Sequence, residues 1–366
     1  MKQLALFLSV LVLLSLLAGC AGDQSPETTA APATTAPIPT LAPETENTVP
    51  SSTEAPEPET TTVPETTLSP EELERLEFYH LFRQLDPDDT DRWLAENPQY
   101  FENGYFGIAV NEAWLTDSGL DLYTTQGDQV LAIDAENGIL ILRVYAAGSR
   151  GVLAIAKYPS RLHLCVSQNL GTMGEKIGSI AQRNNGLLAM TGSGFLDPEG
   201  RGNGGEMAGA CRSDGKDYGT PFGWNYARFE LLENNWAVVT HADGSPSQYT
   251  TDSMEFEPAL LIDGETQPPG IWTGENPRAC IGQTKHGEIL MLGIEGRFDD
   301  SPGCSVTECA KIMLNYDGWN AINVDGGTTA IVWYRGEPIL RCSNRSTPDG
   351  RYLPNAWVYT KAEDGE

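Results

Sequence analysis

Three charged side chains in the segment 278–329 have types and positions that could support chemistry. The segment reads PRACIGQ, then EILMLGIEGRF, SVTECAKIMLNYDG and AINVDGGTT. This order predicts a strand, a second strand, a capped helix and a third strand, which puts Glu295, Arg297 and Asp325 at strand ends. Two carboxylates and a guanidinium beside a Gly-Gly turn indicate a site for an anionic sugar derivative.

Arg278 and Arg297 are the candidate anion ligands of this segment. Arginine holds phosphate in a planar, bidentate way, so both are expected to contact a phosphate group. Glu295 follows the apolar run Ile289–Ile294, at the end of a strand that is expected to be buried. The alternative for Glu295 is an ion pair at a sheet edge, with no catalytic role.

Two glycine-rich stretches could bring backbone close to a ligand. In the first, Asp325 is followed by Gly326, Gly327, Thr328 and Thr329, so a carboxylate would lie beside backbone and hydroxyl donors and face a sugar or a metal. Alone, this stretch is equally typical of a plain turn.

The second stretch, AMTGSGFLDPEGRGNGG over 189–205, carries Asp197, Arg201 and Asn203. The alternative is a long surface turn, and the absence of GxxxxGK[ST] argues against a nucleotide P-loop.

Other catalytic schemes have little support. The chain has four histidines; of these, His163 would share one strand face with Cys165, which is more typical of core and surface filling than of a dyad. No GxSxG or HExxH motif occurs. A divalent cation between Asp197, Glu295 and Asp325 is one further hypothesis, although the spacing requires neither a metal nor another cofactor.

The elements that must position these residues are mainly strands. Short β-branched runs such as Ile139–Tyr145, Gly151–Lys157, Leu162–Val166 and Trp236–Thr240 are separated by Gly, Asn, Asp and Pro. Helical periodicity appears around 173–183 and 307–316 and does not alternate regularly with the strands. The predicted class is α+β, with a mixed, twisted β-sheet core and a few flanking helices.

The N-terminal part of the sequence indicates where the protein is located and contains no candidate catalytic residue. Leu4–Leu17 is an almost unbroken apolar run and leads into Leu17-Ala18-Gly19-Cys20, which matches a bacterial lipobox within a signal peptide of residues 1–20. An ordinary secretory signal is the alternative. Residues 21–69 are rich in Thr, Pro and Glu and predict a disordered stalk. Lipidation of Cys20 would hold an exported protein on the outer face of the bacterial membrane.

Residues 70–140 predict an N-terminal helical extension, and 141–366 predict the main domain. Ser69-Pro70-Glu71-Glu72 is typical of a helix start, and this helix is expected to end near Leu85. A second helical stretch is expected around Asp91–Glu96.

Charge and cysteine content limit the partners. The formal net charge is −28, which argues against nucleic acid and means that an anionic ligand needs a local arginine cluster. Cys165, Cys211, Cys280, Cys304, Cys309 and Cys342 fit no zinc spacing. Either some of them pair, with Cys304 and Cys309 close in sequence, or they are small buried hydrophobes.

Taken together, these segments resemble the phosphodiester glycosidase family, whose pattern is an "NGGFF-D" loop, "R-AIG", "DGR", a capped helix and "NLDGGGSS". The matches are Thr191-Gly192-Ser193-Gly194-Phe195 with Asp197, Arg278-Ala279-Cys280-Ile281-Gly282, Glu295-Gly296-Arg297 and 323–329. The resemblance covers about 151–361. Thr191, Glu295, Thr328 and Thr329 depart from the pattern but keep a polar group.

The resemblance implies cleavage of a sugar phosphodiester in a glycan or cell-envelope polymer. Asp325 or Glu295 would be the nucleophile or the base for water, and their separation would distinguish retention from inversion. Arg278 and Arg297 would hold the phosphate, and the substrate would also contact Thr191, Gly194, Asp197, Asn203 and 326–329. These residues are expected to line one cleft. A competing hypothesis is a tethered module that binds cell-wall polysaccharide or exopolysaccharide without turnover.

Overall fold

The structure is a computed structural model that describes residues 68–223, 226–242, 244–344 and 347–362. These residues belong to one compact unit, 65–366. The expected signal peptide of residues 1–20, with Cys20, and residues 21–67 of the expected stalk lie outside the described residues. Within the described part, no helix is both long enough and apolar enough to span a bilayer.

Four α-helices occur in the described residues: α1 (Pro70–Leu81), α2 (Pro87–Glu96), α3 (Ile177–Arg183) and α4 (Val306–Asn315). The first begins as predicted, because the Ser69 hydroxyl accepts the Glu72 amide and the Glu72 carboxylate accepts the Ser69 amide. At α4 the predicted side-chain cap is not formed, because the Ser305 hydroxyl donates to the Glu308 carboxylate and caps no backbone amide.

Nineteen strands are described, and they greatly outnumber the helices, which confirms the α+β class. They are β1 (Ala109–Asn111), β2 (Gln129–Asp134), β3 (Ile139–Ala146), β4 (Ser149–Ala156), β5 (Leu162–Val166), β6 (Gly186–Thr191), β7 (Ala210–Ser213), β8 (Lys216–Gly219), β9 (Ala227–Leu232), β10 (Ala237–His241), β11 (Thr250–Phe256), β12 (Ala259–Ile262), β13 (Glu265–Thr266), β14 (Arg278–Thr284), β15 (Ile289–Ile294), β16 (Gly318–Asn323), β17 (Val332–Tyr334), β18 (Glu337–Pro338) and β19 (Asn355–Thr360).

The strands form three sheets among the described residues. The largest has nine strands in the order β1-β2-β3-β4-β15-β14-β16-β12-β13. Two five-stranded sheets have the orders β10-β9-β11-β7-β8 and β18-β17-β6-β19-β5. Every described pairing is antiparallel, rather than the mixture of directions that we expected. Short turns such as the one between β3 and β4 can join only antiparallel neighbours.

The nine-stranded sheet is apolar on both faces. In β3, Leu140 and Leu142 face one cluster, which also contains residues of α1, α2 and α4. Ile139 and Ile141 face a second cluster shared with the two smaller sheets. Because strand side chains alternate between faces, a strand covered on both sides reads as a continuous apolar run, as in Ile139–Leu142.

Residues before 140 are joined closely to the main sheet. Strand β2 pairs with β3, so the domain boundary expected at residue 140 falls within a β-hairpin, and the helical part of the extension ends at the short turn Tyr105–Gly107. The helices are fixed by a buried polar cluster, in which Lys157 Nζ donates to Gln84 Oε1 (2.5 Å) and to Glu288 Oε1 (2.9 Å).

Strand register brings the candidate segments to one sheet end. Arg278 at the start of β14 is paired with Ile294 at the end of β15, and Cys280 is paired with Asn323 at the end of β16. The turns that follow β15 and β16 therefore emerge side by side. The Asp325 amide donates to the Gly192 carbonyl (3.3 Å), which adds the end of β6 and the loop after it.

Candidate active site

The three turns enclose a cleft with two lobes. The charged lobe, about 450 Å³, is lined by Phe195, Asp197, Gly200, Arg297, Asp325, Gly326, Gly327, Thr328, Thr329, Asn344 and Arg351. The aromatic lobe, about 210 Å³, is lined by Phe256, Trp272, Asn276, Pro277, Arg278 and Asn323, together with Arg297, Asp325, Gly326 and Gly327. Because four residues border both lobes, they form the junction between them.

Asp325 lies at this junction and has the properties of an acid–base group. Burial raises the pKa of Asp325 to about 7, although hydrogen bonds from Thr329 and Gly326 and the charge of Arg351 favour the carboxylate and lower this pKa. The side chain stays partly exposed to the cleft. A carboxyl group with a pKa near neutrality can both take up and release a proton at physiological pH.

The raised pKa of Asp325 predicts a pH-dependent difference in stability for Asp325→Asn. An unfolded aspartate has a pKa of about 3.9, so the native state binds more protons, and wild-type stability falls as the pH rises towards 7. Asparagine does not ionise. We therefore expect the free energy of unfolding of the variant, relative to that of wild type, to increase by about 1–2 kcal/mol between pH 5 and pH 8. This value is smaller than the full pKa difference would give, because solvent in the open cleft screens the charge.

Urea denaturation of both proteins at pH 5, 6, 7 and 8 measures this difference. Asp263→Asn, in a turn outside the cleft, is the control and should show no such trend. A constant difference between wild type and Asp325→Asn across this range would contradict a raised pKa.

Arg297 supplies a cation that no described carboxylate neutralises. The residue is exposed, and its Nη2 donates to Asn276 Oδ1 (3.2 Å). Gly327 lies beneath the guanidinium: it has a φ of +63°, and a Cβ atom there would lie 3.1 Å from Arg297 Nη2. Glycine at 327 therefore allows the backbone to adopt a left-handed conformation and to approach the arginine closely.

Arg351 is a second cation of the cleft, and sequence reasoning missed it. Its Nη1 and Nη2 donate to the two carboxylate oxygens of Asp197 at 2.6 and 2.8 Å, and Nη2 also donates to the Gly202 carbonyl. This pairing lowers the pKa of Asp197. The only sequence signal was an arginine within a Gly- and Pro-containing loop, and no motif connects that loop to Asp197.

Arg278 borders the aromatic lobe but is occupied by protein carbonyls. Its Nε donates to Cys304 O (3.0 Å), and its Nη2 donates to Gly274 O (2.7 Å) and Trp272 O (3.3 Å). The expected role as a phosphate ligand is therefore wrong for these two nitrogens. Arg278 holds the 272–274 turn against β14.

Glu295 does not line either lobe, so the expectation that it shares the cleft with Asp325 is wrong. Its side chain is 1% exposed, and its Oε2 accepts hydrogen bonds from Arg341 Nε (2.8 Å) and Nη2 (2.5 Å). Arg150 Nε lies 3.5 Å from the same oxygen. The alternative of an ion pair is correct, but its expected position at a sheet edge is wrong, because β15 lies between β4 and β14 inside the sheet.

Three further candidates lie outside the lining of the cleft. Thr191 is buried, and its hydroxyl bonds the Thr329 carbonyl and accepts the Ile331 amide. Asn203 braces its own loop through Thr172 O and the Gly205 amide. Gly194 packs against Phe256, and a Cβ there would lie 3.0 Å from that ring. The structure places none of Thr191, Asn203 and Gly194 in the lining of the cleft.

Asn355 is another residue that the sequence did not indicate. It is buried, and its Oδ1 accepts the Ser193 amide (2.7 Å) while its Nδ2 donates to the Ser193 hydroxyl (2.9 Å). A Cβ at Gly192 would lie 2.2 Å from Asn355 Oδ1, so glycine is required there. Asn355 thus fixes the loop whose Gly192 carbonyl accepts the Asp325 amide.

The hypothesis of a cation between Asp197, Glu295 and Asp325 is wrong in its choice of ligands. Asp197 is paired with Arg351, and Glu295 is remote from the cleft lining. Among the described residues, no group of three or more His, Cys, Asp or Glu side chains is placed to hold a metal. The six described cysteines are free thiols, although Cys304 Sγ and Cys309 Sγ are only 3.5 Å apart.

Comparisons with known proteins find one matching family and solved structures of similar fold. Residues 184–360 match the model of the phosphodiester glycosidase family. The fold is similar to that of the zebrafish N-acetylglucosamine-1-phosphodiester alpha-N-acetylglucosaminidase catalytic domain auto-inhibited by its pro-peptide, with a TM-score of 0.51, 17% identity, and coverage of 69% of this chain and 88% of that chain.

A hypothetical protein from Synechocystis has a TM-score of 0.47 and 12% identity over 63% of each chain. The comparison with curated proteins finds no match. The family resemblance seen in the sequence motifs is confirmed by the match over 184–360.

Proposed function

We propose that the chain hydrolyses the bond between the anomeric carbon of a sugar and a phosphodiester oxygen in a glycan or cell-envelope polymer, because residues 184–360 match the phosphodiester glycosidase family. The observation that carries the proposal is the junction of the two lobes. There, Asp325, with a pKa of about 7, and the unneutralised Arg297 border the same space.

The proposed reaction uses Asp325 as the base for water. The carboxylate takes a proton from water, the water oxygen bonds to the anomeric carbon, and the electron pair of the breaking C–O bond leaves with the phosphate oxygen. The products are a free sugar and a phosphomonoester. A phosphate leaving group is already a weak base, so holding its charge matters more than protonating it.

A single displacement fits the carboxylates that border the cleft. Of the described lining residues, Asp197 and Asp325 are the carboxylates, and Asp197 is bound in a bidentate pair with Arg351. A retaining mechanism needs a nucleophile and a second acid–base carboxylate. We therefore propose inversion at the anomeric carbon. Proton NMR of the first-formed sugar tests it, and retained configuration would contradict it.

Turnover itself is tested with the methyl diester of N-acetylglucosamine 1-phosphate. The expected products are N-acetylglucosamine and methyl phosphate, separated by anion exchange. Equal rates with and without a chelator are expected, because the proposed steps use only protein side chains. Failure to hydrolyse diesters of glucose, galactose and N-acetylglucosamine would favour a binding module without turnover.

Arg297→Gln should lower kcat/KM for the diester by about a hundredfold. This corresponds to the loss of a charge-assisted contact to the phosphate worth about 2–3 kcal/mol, made when the bound substrate covers the exposed guanidinium. Arg297→Lys should recover part of the loss, because it keeps the charge without the planar fork.

The control for Arg297 is Arg201→Gln, which removes an exposed guanidinium outside the cleft lining. Steady-state kinetics with the methyl diester measure all three variants. Equal rates for Arg297→Gln and Arg201→Gln would remove Arg297 from phosphate binding.

The cellular location of the enzyme is a further part of the proposal. We propose that the chain is exported and held on the outer face of the bacterial membrane by lipid on Cys20, with residues 21–69 as a stalk. The lipobox Leu17-Ala18-Gly19-Cys20 supports it, and so does a linker with eight acidic and no basic residues. Labelled palmitate should be incorporated into wild type and not into Cys20→Ser. Equal labelling would contradict it.

A further inference from the structure

The two lobes of the cleft differ in chemistry as well as in size. The charged lobe contains Arg297, Arg351 and the hydroxyl groups of Thr328 and Thr329. The aromatic lobe is about 210 Å³ and is walled by the rings of Phe256 and Trp272. Their ring centroids are 6.0 Å apart, with an interplanar angle of 49°. A site of this kind presents apolar ring faces to a small ligand.

Polar groups at the rim of the aromatic lobe suit an uncharged polyol. Asn276 accepts Arg297 Nη2 through its Oδ1, and its Nδ2 has no hydrogen-bond partner among the described residues. Arg278 gives Nε and Nη2 to backbone carbonyls, so these nitrogens are not available to an anion. Ring faces with amide donors match the C–H faces and hydroxyl groups of a sugar.

The junction sets the direction in which a substrate lies. Asp325, Gly326, Gly327 and Arg297 border both lobes. A sugar ring in the aromatic lobe and a phosphate in the charged lobe would place the bond between them beside Asp325. The opposite placement would put the phosphate next to Phe256 and Trp272, where Arg278 already gives Nε and Nη2 to protein carbonyls and Arg351 is not part of the lining.

We infer that the aromatic lobe is the glycosyl subsite, which holds one sugar ring of the phosphodiester against the adjoining rings of Phe256 and Trp272. This inference rests on the proposed function. Arg278 acts in it as a positioning residue: its Nη2 bonds the carbonyls of Trp272 and Gly274, and its guanidinium carbon lies 5.6 Å from the Trp272 ring centroid.

The test separates sugar contacts from phosphate contacts. Phe256→Ala and Trp272→Ala should each raise KM for the methyl diester about tenfold or more, with kcat changed less. The inhibition constant of methyl phosphate should stay within about twofold of wild type. Trp272→Phe should restore much of the affinity. Tyr249→Ala, an exposed aromatic outside the cleft, is the matched control.

A binding experiment tests the subsite without requiring turnover. Calorimetry with the methyl glycosides of glucose, galactose and N-acetylglucosamine should show one that binds wild type and binds Phe256→Ala at least about tenfold more weakly. That result supports the subsite even if no diester is hydrolysed, in which case the proposed function fails alone. Turnover with unchanged KM in both variants, or the absence of binding by all three glycosides, would overturn the subsite.

Discussion

Asp325→Asn is expected to lower kcat for the glycosyl phosphodiester by about a thousandfold or more. Asparagine keeps the shape of the side chain but cannot accept the proton of water, and general base catalysis contributes about 10²–10⁴-fold. Methyl phosphate should bind the variant with nearly wild-type affinity, because Arg297 is unchanged. The loss should therefore appear in kcat and not in phosphate binding, which separates a chemical role from a structural one.

The same assignment predicts an acidic limb in the pH profile of wild type. Because the base must be ionised, and the pKa of Asp325 is raised to about 7 by burial, kcat/KM should fall about tenfold per unit below pH 7 and stay level above it. The phosphodiester monoanion does not titrate in this range, so the limb belongs to the enzyme.

Asp299→Asn is the matched control, since it removes a carboxylate two residues from Arg297 and outside the lining of both lobes. It should leave both the rate and the pH profile close to wild type. A flat profile between pH 5 and pH 8, or full activity in Asp325→Asn, would exclude Asp325 as the base.

Glu295→Gln is expected to destabilise the fold without removing catalysis. The carboxylate is buried between Arg341 and Arg150, and removal of one partner of a buried ion pair costs about 3–5 kcal/mol. Asp300 lies 3.1 Å from Arg341 Nη2 and still neutralises part of the charge. We expect a loss near the lower end of this range, about 3 kcal/mol.

Urea denaturation measures the loss, and activity is normalised to folded protein. In that form kcat should remain within about threefold of wild type, because Glu295 does not border the cleft. Glu265→Gln, which changes an exposed glutamate on β13, is the control and should be neutral. A thousandfold loss of kcat at unchanged stability would instead restore Glu295 as a catalytic carboxylate.

Local patterns predicted much of the fold. The order of strand, strand, helix and strand over 278–323 is confirmed as β14, β15, α4 and β16, and β5 has the predicted bounds Leu162–Val166. Alternation, capping residues and turn residues act within a few positions of the chain, so these signals are visible in sequence. Strand direction was not visible in the sequence, because it depends on which distant strands become neighbours.

The residues of the candidate site also fall into those that the sequence could indicate and those that it could not. Asp325, Gly326, Gly327 and Arg297 could be selected from sequence, because a carboxylate, a glycine turn and an arginine at strand ends are local features that also match the family motifs. Glu295 had the same local features as Asp325 and proved to be buried with Arg341, which is 46 residues away in the chain. Sequence position gives the end of a strand but not the charges that surround it.

The sequence by itself determined the family resemblance, the strand-rich class and the segments that meet at the end of the large sheet. Only the tertiary structure decided which carboxylate is free, which arginine is occupied and where the two lobes join. Arg351 reaches Asp197 across 154 positions, and Asn355 reaches Ser193 across 162. The physical reason is that the charge and solvation of a side chain depend on its neighbours in space, and chain folding over such distances brings those neighbours together.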